Sequence, residues 1–153
     1  VASLLHRGAA SVHVTDVRPE PLERAAALGA QRTILVTEET PEANSYDVVL
    51  ECSAAPVSLS SAVQAVRPAG IIVQVAILPD KDIPVNLAAL VSKEVQLRGT
   101  QRFDTEIDEA IALLAGDARF DAVVTQTIPL EKAEEAFATA RDASRSAKVL
   151  LAL

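Results

Sequence analysis

The sequence predicts an α/β protein with a doubly wound parallel sheet, and three observations support this prediction. Short runs of apolar and β-branched residues alternate along the chain with segments that have helical spacing. Glycines, prolines and short polar loops separate these segments. The chain has 153 residues, 50% of them hydrophobic, which is enough to bury one core. Alternating strands and helices are typical of a parallel sheet that is covered on both faces.

The first part of the chain contains the clearest alternation. Residues 2–7 are typical of the end of a helix, and Gly8 follows them as a C-terminal stop. Residues 11–16 alternate apolar and polar side chains, which predicts a half-buried strand. Prolines near its start predict a helix over residues 21–28, and the β-branched residues at 33–36 predict a short strand.

The middle of the chain continues the pattern with more apolar strands. Residues 47–51 and 71–77 have continuous apolar centres, which predict strands that are buried on both faces. Residues 58–66 place apolar side chains at helical spacing between these two strands. The proline and glycine at residues 67–70 should end that helix and turn the chain. Residues 95–99 are the next predicted strand.

The last third of the chain changes character. A helix over residues 106–115, with apolar side chains on one face, follows the last strand of the predicted sheet. Strand, helix and strand then return at residues 123–128, 130–141 and 148–153. We therefore expect a boundary after residue 121, with residues 122–153 packed against a different part of the protein.

Composition and charge limit the functions of the chain. The net charge is −7 at pH 7, which disfavours nucleic acid and anionic membrane surfaces because the long-range field repels phosphates. No apolar run is long enough to predict a membrane-spanning helix. A single cysteine, Cys52, excludes an intrachain disulfide and favours the cytoplasm. His6, His13 and Cys52 lack the spacing of metal ligands, so we expect no metal site in this chain.

Asp16 is the strongest candidate for a binding residue. It ends the predicted strand Ser-Val-His-Val-Thr-Asp, and Pro-Glu-Pro at residues 19–21 opens a helix almost directly afterwards. An acidic residue at the end of the second strand of a dinucleotide-binding unit accepts hydrogen bonds from the adenosine ribose. Asp16 would also favour NAD over NADP, although Arg18 could either stack on adenine or meet a 2′-phosphate. The alternative is that Asp16 only caps the following helix.

This interpretation of Asp16 implies that the first strand and the glycine-rich turn should precede Val1. We therefore expect the chain to be a fragment, in which residues 1–121 form a dinucleotide-binding domain that lacks both features. Such a domain should expose an apolar face where its first strand belongs.

Two further segments follow predicted strands at the same edge of the sheet. Cys52-Ser53-Ala54-Ala55 has small side chains, which would let a cofactor approach the backbone. For Cys52 the alternative is a structural role, because the sequence places no base beside it. Arg102, after the strand at residues 95–99, could donate hydrogen bonds to a carboxamide, hydroxyl or carboxylate, or could form only a surface ion pair.

Several segments, taken in order, resemble the medium-chain zinc-dependent alcohol dehydrogenase superfamily. They resemble most its polyol branch, to which sorbitol dehydrogenases and L-idonate 5-dehydrogenases belong, and specifically the carboxyl-terminal half of such enzymes. The matching segments are Val-Thr-Asp at residues 14–16, Leu-Gly-Ala at 28–30, Tyr-Asp-Val-Val-Leu-Glu-Cys-Ser at 46–53, Arg-Pro-Ala-Gly-Ile-Ile-Val at 67–73, Val-Gln-Leu-Arg-Gly-Thr at 95–100, Ile-Pro-Leu-Glu-Lys-Ala-Glu-Glu-Ala-Phe at 128–137 and Lys-Val-Leu-Leu at 148–151.

The resemblance implies a Rossmann-type fold and NAD(P)-dependent oxidation of a secondary alcohol on a polyol or sugar acid by hydride transfer. It implies a catalytic zinc whose ligands lie outside this chain, no catalytic residue within the chain, and a homo-dimer or homo-tetramer. The resemblance also implies the cofactor contacts. Asp16 would lie at the adenosine ribose and Arg18 near the adenine, Cys52 and Ser53 would line the ribose side of the cofactor, and Lys148 would lie near the pyrophosphate. The backbone at Val75, Ile77 and Thr100 would meet the nicotinamide carboxamide, and Arg102 would lie between nicotinamide and substrate.

Two alternative functions remain open from the sequence alone. A zinc-free quinone or enoyl reductase of the same superfamily would have a similar core. A regulatory domain that binds NAD without chemistry is the alternative from a different class. The superfamily that this chain resembles usually has glycine at the positions of Ala54 and Ala76. The methyl groups of the two alanines should make the cofactor channel narrower here.

Overall fold

The structure is a computed structural model that describes residues 1–153. The chain forms two compact units, one built from Val1–Thr40 together with Thr105–Leu153 and the other from Pro41–Asp104. All of its strand pairs are parallel, so the predicted α/β class is confirmed. None of the helices has both the length and the apolar character needed to cross a membrane.

The amino-terminal part of the first unit alternates helix and strand. The elements are α1 (Ala2–His6), β1 (His13–Asp16), α2 (Pro19–Ala27) and β2 (Arg32–Leu35). Strands β1 and β2 pair in parallel along their whole length. Helix α2 starts with two prolines in its first turn and buries Leu22 and Ala25, because these side chains lie on the face that packs against the two strands.

The carboxyl-terminal part of the first unit forms a second small sheet. Its elements are α5 (Ile107–Gly116), a 3₁₀ helix (Ala118–Val123), β6 (Val124–Pro129), a 3₁₀ turn (Leu130–Lys132), α6 (Ala133–Arg141) and β7 (Lys148–Ala152). Strands β6 and β7 are parallel, and α6 packs against both. The predicted helix at residues 130–141 begins three residues late, because the chain first makes the tighter 3₁₀ turn.

The second unit contains one three-stranded parallel sheet. Its elements are β3 (Tyr46–Glu51), α3 (Pro56–Ala65), β4 (Val66–Gln74), α4 (Ala88–Ser92) and β5 (Gln96–Gly99). The strand order is β3-β4-β5. Six buried apolar side chains form its core, three from α3, two from β4 and one just before β5, and α4 packs against them; they are Leu59, Ala62, Val63, Val66, Ile72 and Val95.

One prediction for the second unit was wrong. The apolar strand β3 is not buried on both faces, because Val48 and Leu50 are 49% and 39% exposed while Val49 packs against the core. Helix α3 ends at Ala65, directly before residues 67–70, as predicted. These residues form an irregular stretch within β4, where the register with β3 shifts and Ala69 has φ 56°. A Cβ at Gly70 would lie 2.6 Å from Val66 Cγ2, so only glycine fits where this stretch folds against itself.

The predicted strand at residues 71–77 also ends early, at Gln74. The backbone N–H groups of Val75 and Ala76 both donate to the carbonyl oxygen of Glu51, at 2.9 and 3.0 Å. Because both donors share a single acceptor, the regular hydrogen-bond pattern between β3 and β4 stops at this point.

Candidate functional site

Asp16 lies at the carboxyl end of β1, as predicted. Its side chain is 30% exposed, and its Oδ1 accepts a hydrogen bond of 3.0 Å from the backbone N–H of Arg18. The Arg18 Nε lies 4.0 Å from the same oxygen. One oxygen of Asp16 therefore shapes the turn into α2, because Asp side chains often accept a hydrogen bond from the backbone two residues further along the chain. The hydrogen bond and the ion pair of Asp16 both involve Oδ1 and not Oδ2. The geometry is therefore compatible both with a role in the turn and with binding of a ligand.

Lys148 is the other predicted contact of the first unit. It is the first residue of β7, and its backbone carbonyl accepts a hydrogen bond of 3.2 Å from the Thr125 hydroxyl. The same hydroxyl accepts one of 3.1 Å from the backbone of Ala147. The backbone of Lys148 is thus fixed by Thr125, whereas its side chain is exposed.

One cavity of the first unit contains none of the predicted site residues. It has a volume of about 320 Å³ and is lined from α2, from β2 and from the segment after β2, including Glu23, Glu38 and Glu39. Three carboxylates at its wall disfavour an anionic nucleotide there. We therefore place the candidate site at the strand ends and not in this cavity.

The predicted contacts of the second unit cluster at one edge of its sheet. Glu51, Gln74 and Gly99, the last residues of β3, β4 and β5, are register partners. Cys52, Val75 and Thr100 each come directly after one of these three residues, so they follow the strands at the same level. The backbone N–H of Thr100 donates to the carbonyl oxygen of Gln74 at 3.2 Å. Ligands of open parallel sheets bind at this carboxyl edge.

A buried carboxylate that the sequence analysis did not identify organises this edge. Glu51 is only 4% exposed. Its Oε1 accepts hydrogen bonds from the Ser53 backbone N–H, the Ser53 hydroxyl and the Ser58 hydroxyl, and its Oε2 accepts one of 2.6 Å from Gln74 Nε2. Burial by itself would raise the pKa of Glu51. The hydrogen bonds from Ser53, Ser58 and Gln74 together lower the pKa by more than burial raises it, so the pKa lies below its usual value. A signal was present, since serines stand two and seven residues after this acid.

The loop after β3 has an unusual backbone. Ala54 has φ 59°, in the left-handed region that costs a residue with a Cβ about 1–2 kcal/mol. The Ser53 hydroxyl accepts a hydrogen bond of 3.1 Å from the backbone N–H of Ala55. Ser53 therefore closes the turn at Ala54, and Glu51 in turn holds Ser53.

Cys52 is exposed, but its thiol is poorly suited to act as a nucleophile. Burial of the sulfur and the negative charge of Glu51 raise the pKa of Cys52. A higher pKa leaves less thiolate at neutral pH, and the thiolate is the reactive form. The thiol is thus suited to contact a ligand and not to form a covalent intermediate.

The remaining predicted contacts, Ile77 and Arg102, lie in loops beyond the strand ends. Ile77 is 81% exposed. Arg102 is also exposed and has φ 48°, a left-handed conformation that is uncommon for a residue with a side chain. No feature of the sequence predicts this conformation, because arginine has no preference for it. Strained residues of this kind occur preferentially at functional sites.

The described residues 1–153 contain no group of three His, Cys, Asp or Glu side chains that could hold a metal ion. The residues of this chain therefore do not fit a zinc ion. Each unit, taken by itself, has features that are compatible with binding part of a dinucleotide. The first has an acidic strand end at Asp16, and the second has a small-residue loop and backbone groups at the carboxyl edge of its sheet.

Parallel strands with these carboxyl ends define a Rossmann-type α/β protein of the dinucleotide-binding class. Residues 1–116 match the family model that is described as zinc-binding dehydrogenase, and the chain belongs to this family. The family predicted from the sequence is thereby confirmed.

Known proteins similar to this chain are dehydrogenases. Sorbitol dehydrogenase of Gallus gallus is 34% identical over 146 residues, which cover 88% of this chain and 41% of that protein. L-idonate 5-dehydrogenase from Escherichia coli superposes with a TM-score of 0.89 at 27% identity, over 99% of this chain and 45% of that one. Alcohol dehydrogenase TADH from Thermus sp. ATN1 has a TM-score of 0.86 at 30% identity, over 99% and 46%.

The chain spans about two fifths of the length of the curated relatives that it matches. The relatives and solved structures reported above are named as sorbitol, idonate and alcohol dehydrogenases.

Proposed function

We propose that this chain is the cofactor-binding half of an NAD-dependent zinc dehydrogenase that oxidises a secondary alcohol of a polyol or sugar acid. The observation that carries the proposal is the carboxylate of Asp16 at the carboxyl end of β1, in a chain of the zinc-binding dehydrogenase family. Similarity to a sorbitol dehydrogenase and to an L-idonate 5-dehydrogenase supports the substrate class.

Each predicted contact has a proposed role in binding the cofactor. Asp16 accepts hydrogen bonds from the adenosine ribose, Arg18 lies against the adenine, and Lys148 compensates the pyrophosphate charge. In the second unit Cys52 and Ser53 contact the other ribose. The backbone at Val75, Ile77 and Thr100 meets the carboxamide, and Arg102 lies between nicotinamide and substrate.

The cofactor supplies the hydride acceptor, and the chain supplies its position. The preference for NAD follows from the charge of Asp16, which would repel a 2′-phosphate. Arg18 could reduce this repulsion, since its Nε is 4.0 Å from Asp16 Oδ1. NAD is therefore the proposed main cofactor and NADP the weaker one.

The proposal extends to assembly and organisation. Strand β5 pairs with β4 on one edge, and all four of its residues are exposed. An open strand edge can pair with a second copy across a twofold axis, so we propose a homo-dimer or homo-tetramer. Residues 1–121 are proposed as the dinucleotide-binding domain and residues 122–153 as a segment that packs on the catalytic domain. The cytoplasm is the proposed location.

The test uses the full-length protein that carries this chain. NADH and NADPH are titrated by fluorescence, and oxidation of sorbitol, xylitol and L-idonate is then followed with NAD and NADP. We expect NADH to bind more tightly than NADPH, and at least one of the polyols or sugar acids to be oxidised. Binding of neither nucleotide would overturn the proposal, whereas NADH binding without turnover of any substrate would favour a sensor domain.

A further inference from the structure

One buried carboxylate is connected to every strand end of the second unit. The side chain of Glu51 binds Ser53 in the loop after β3, Ser58 in the first turn of α3, and Gln74 at the end of β4. The backbone carbonyl of Glu51 accepts from Val75. Gln74 in turn accepts, through its own carbonyl, from the backbone N–H of Thr100.

This network does not contain a cation. The negative charge of Glu51 is held by four neutral donors, which come from three side chains and one backbone N–H. A buried carboxylate without a cation is costly unless its donors are fixed in place. The donors and the acceptor therefore hold each other in place, although the Ser58 hydroxyl also lies 2.6 Å from a second acceptor, the carbonyl oxygen of Ala55.

Gln74 shows how strictly the network fixes its members. Its Nε2 donates both to Glu51 Oε2, at 2.6 Å, and to the backbone carbonyl of Ala76, at 2.8 Å. Its Oε1 is buried and lacks a hydrogen-bond partner among the described residues 1–153. Rotating the amide by 180° would give Oε1 no donor and would place it against two acceptors. The orientation of Gln74 is thus set by Glu51 and Ala76 together.

We propose that Glu51 and Gln74 are positioning residues that hold Ser53, Val75 and Thr100 in the arrangement that binds the cofactor. This inference rests on the proposed function, since it assigns these three residues to cofactor contact. Glu51 is too buried to touch the ligand itself. It acts through Ser53, whose hydroxyl closes the left-handed turn at Ala54.

The structure provides a matched control on the same strand. Asp47 lies at the opposite end of β3, is largely exposed, and pairs with Arg67 at 2.6 Å. The variants E51Q and D47N make the same carboxylate-to-amide change at the two ends of β3. The amide of E51Q would place a donor against Ser53 and Ser58 or against Gln74.

The experiment titrates NADH into the full-length protein and its variants. It then measures kcat at saturating NAD with whichever of sorbitol, xylitol and L-idonate the wild type oxidises. We expect E51Q to raise the Kd for NADH about tenfold, the value of about one lost hydrogen bond, because the loop must be reorganised before it binds. We expect kcat at saturation to stay within about twofold, because Glu51 does not touch the reacting atoms. D47N should leave both quantities unchanged.

A second variant keeps the test decisive if E51Q does not fold. S58A removes one donor from Glu51 and should raise the Kd for NADH by about threefold. Equal affinities in the wild type, E51Q and S58A would overturn the inference, as would a fall in kcat at unchanged Kd. If the wild type itself binds neither NADH nor NADPH, it is the proposed function that fails.

Discussion

Asp16 and Glu51 occupy the same position in two different sheets and have opposite surroundings. Each is the last residue of a parallel strand, and a loop and a helix follow each of them. Asp16 is 30% exposed and is held by the backbone of Arg18, two residues away. Glu51 is 4% exposed and is held by donors from a loop, a helix and a neighbouring strand.

The difference shows that a strand-end position does not by itself define a role. An exposed carboxylate can exchange water for ligand hydroxyls, whereas Glu51 is closed to a ligand by its burial and already accepts four hydrogen bonds. The acid that suits direct binding is therefore Asp16. Glu51 is suited to hold the neighbouring residues in position. Four predictions test this contrast between the two carboxylates.

The largest expected effect is on stability. Replacing Glu51 with Ala should lower the free energy of unfolding by about 1–3 kcal/mol, because it removes the buried acceptor that Ser53, Ser58 and Gln74 share. Replacing Asp16 with Ala should cost only about 0.5–1 kcal/mol, since water can reach the exposed N–H of Arg18. Urea unfolding of both variants measures the difference, and equal losses would contradict the contrast.

The second effect is on cofactor preference. Asp16→Ala should raise the Michaelis constant for NAD at least about tenfold relative to that for NADP, since a charge-assisted contact contributes about 1.5–3 kcal/mol. Asp16→Asn is the control for the turn, because its amide oxygen still accepts from Arg18. It should keep the wild-type stability and lose part of the preference. An unchanged preference in Asp16→Ala would remove the ribose assignment.

The third effect is on the pH dependence of stability. The pKa of Glu51 in the folded chain lies below its usual value of 4.5, so its contribution to stability is complete at neutral pH. That contribution is lost as the pH falls below 4.5 through the folded pKa. The stability difference between wild type and Glu51→Gln should therefore be constant from pH 7 to about pH 5 and shrink below that. A difference that grows in acid would disagree with this sign.

The smallest effect concerns the thiol beside Glu51. Because the pKa of Cys52 is raised, iodoacetamide should alkylate it at least about twofold more slowly at pH 7 than free cysteine. Saturating NAD should slow the reaction further if Cys52 contacts the cofactor. Mass spectrometry of the full-length protein gives both rates. Alkylation faster than that of free cysteine would show that the thiol is activated.

Local periodicity predicted most of the fold, because it depends only on neighbours along the chain. The strand that ends at Asp16 and the proline-initiated helix after it were found from a few residues. The sequence pattern also predicted which faces of the helices and strands are apolar, but it did not predict which of these faces are covered. Ile111 and Leu114 lie on the predicted apolar face of α5 and are exposed, as Val48 and Leu50 are on β3.

The sequence by itself determined the α/β class, the family and the acidic end of β1, since each of these depends on residue order and spacing. Only the tertiary structure decided that Glu51 is buried, that Gln74 reaches it from 23 positions away, and that Ala54 and Arg102 are left-handed. The physical reason is that burial and hydrogen-bond partners depend on which strands become neighbours. Glu51 and Gln74 are register partners only after β3 and β4 have paired.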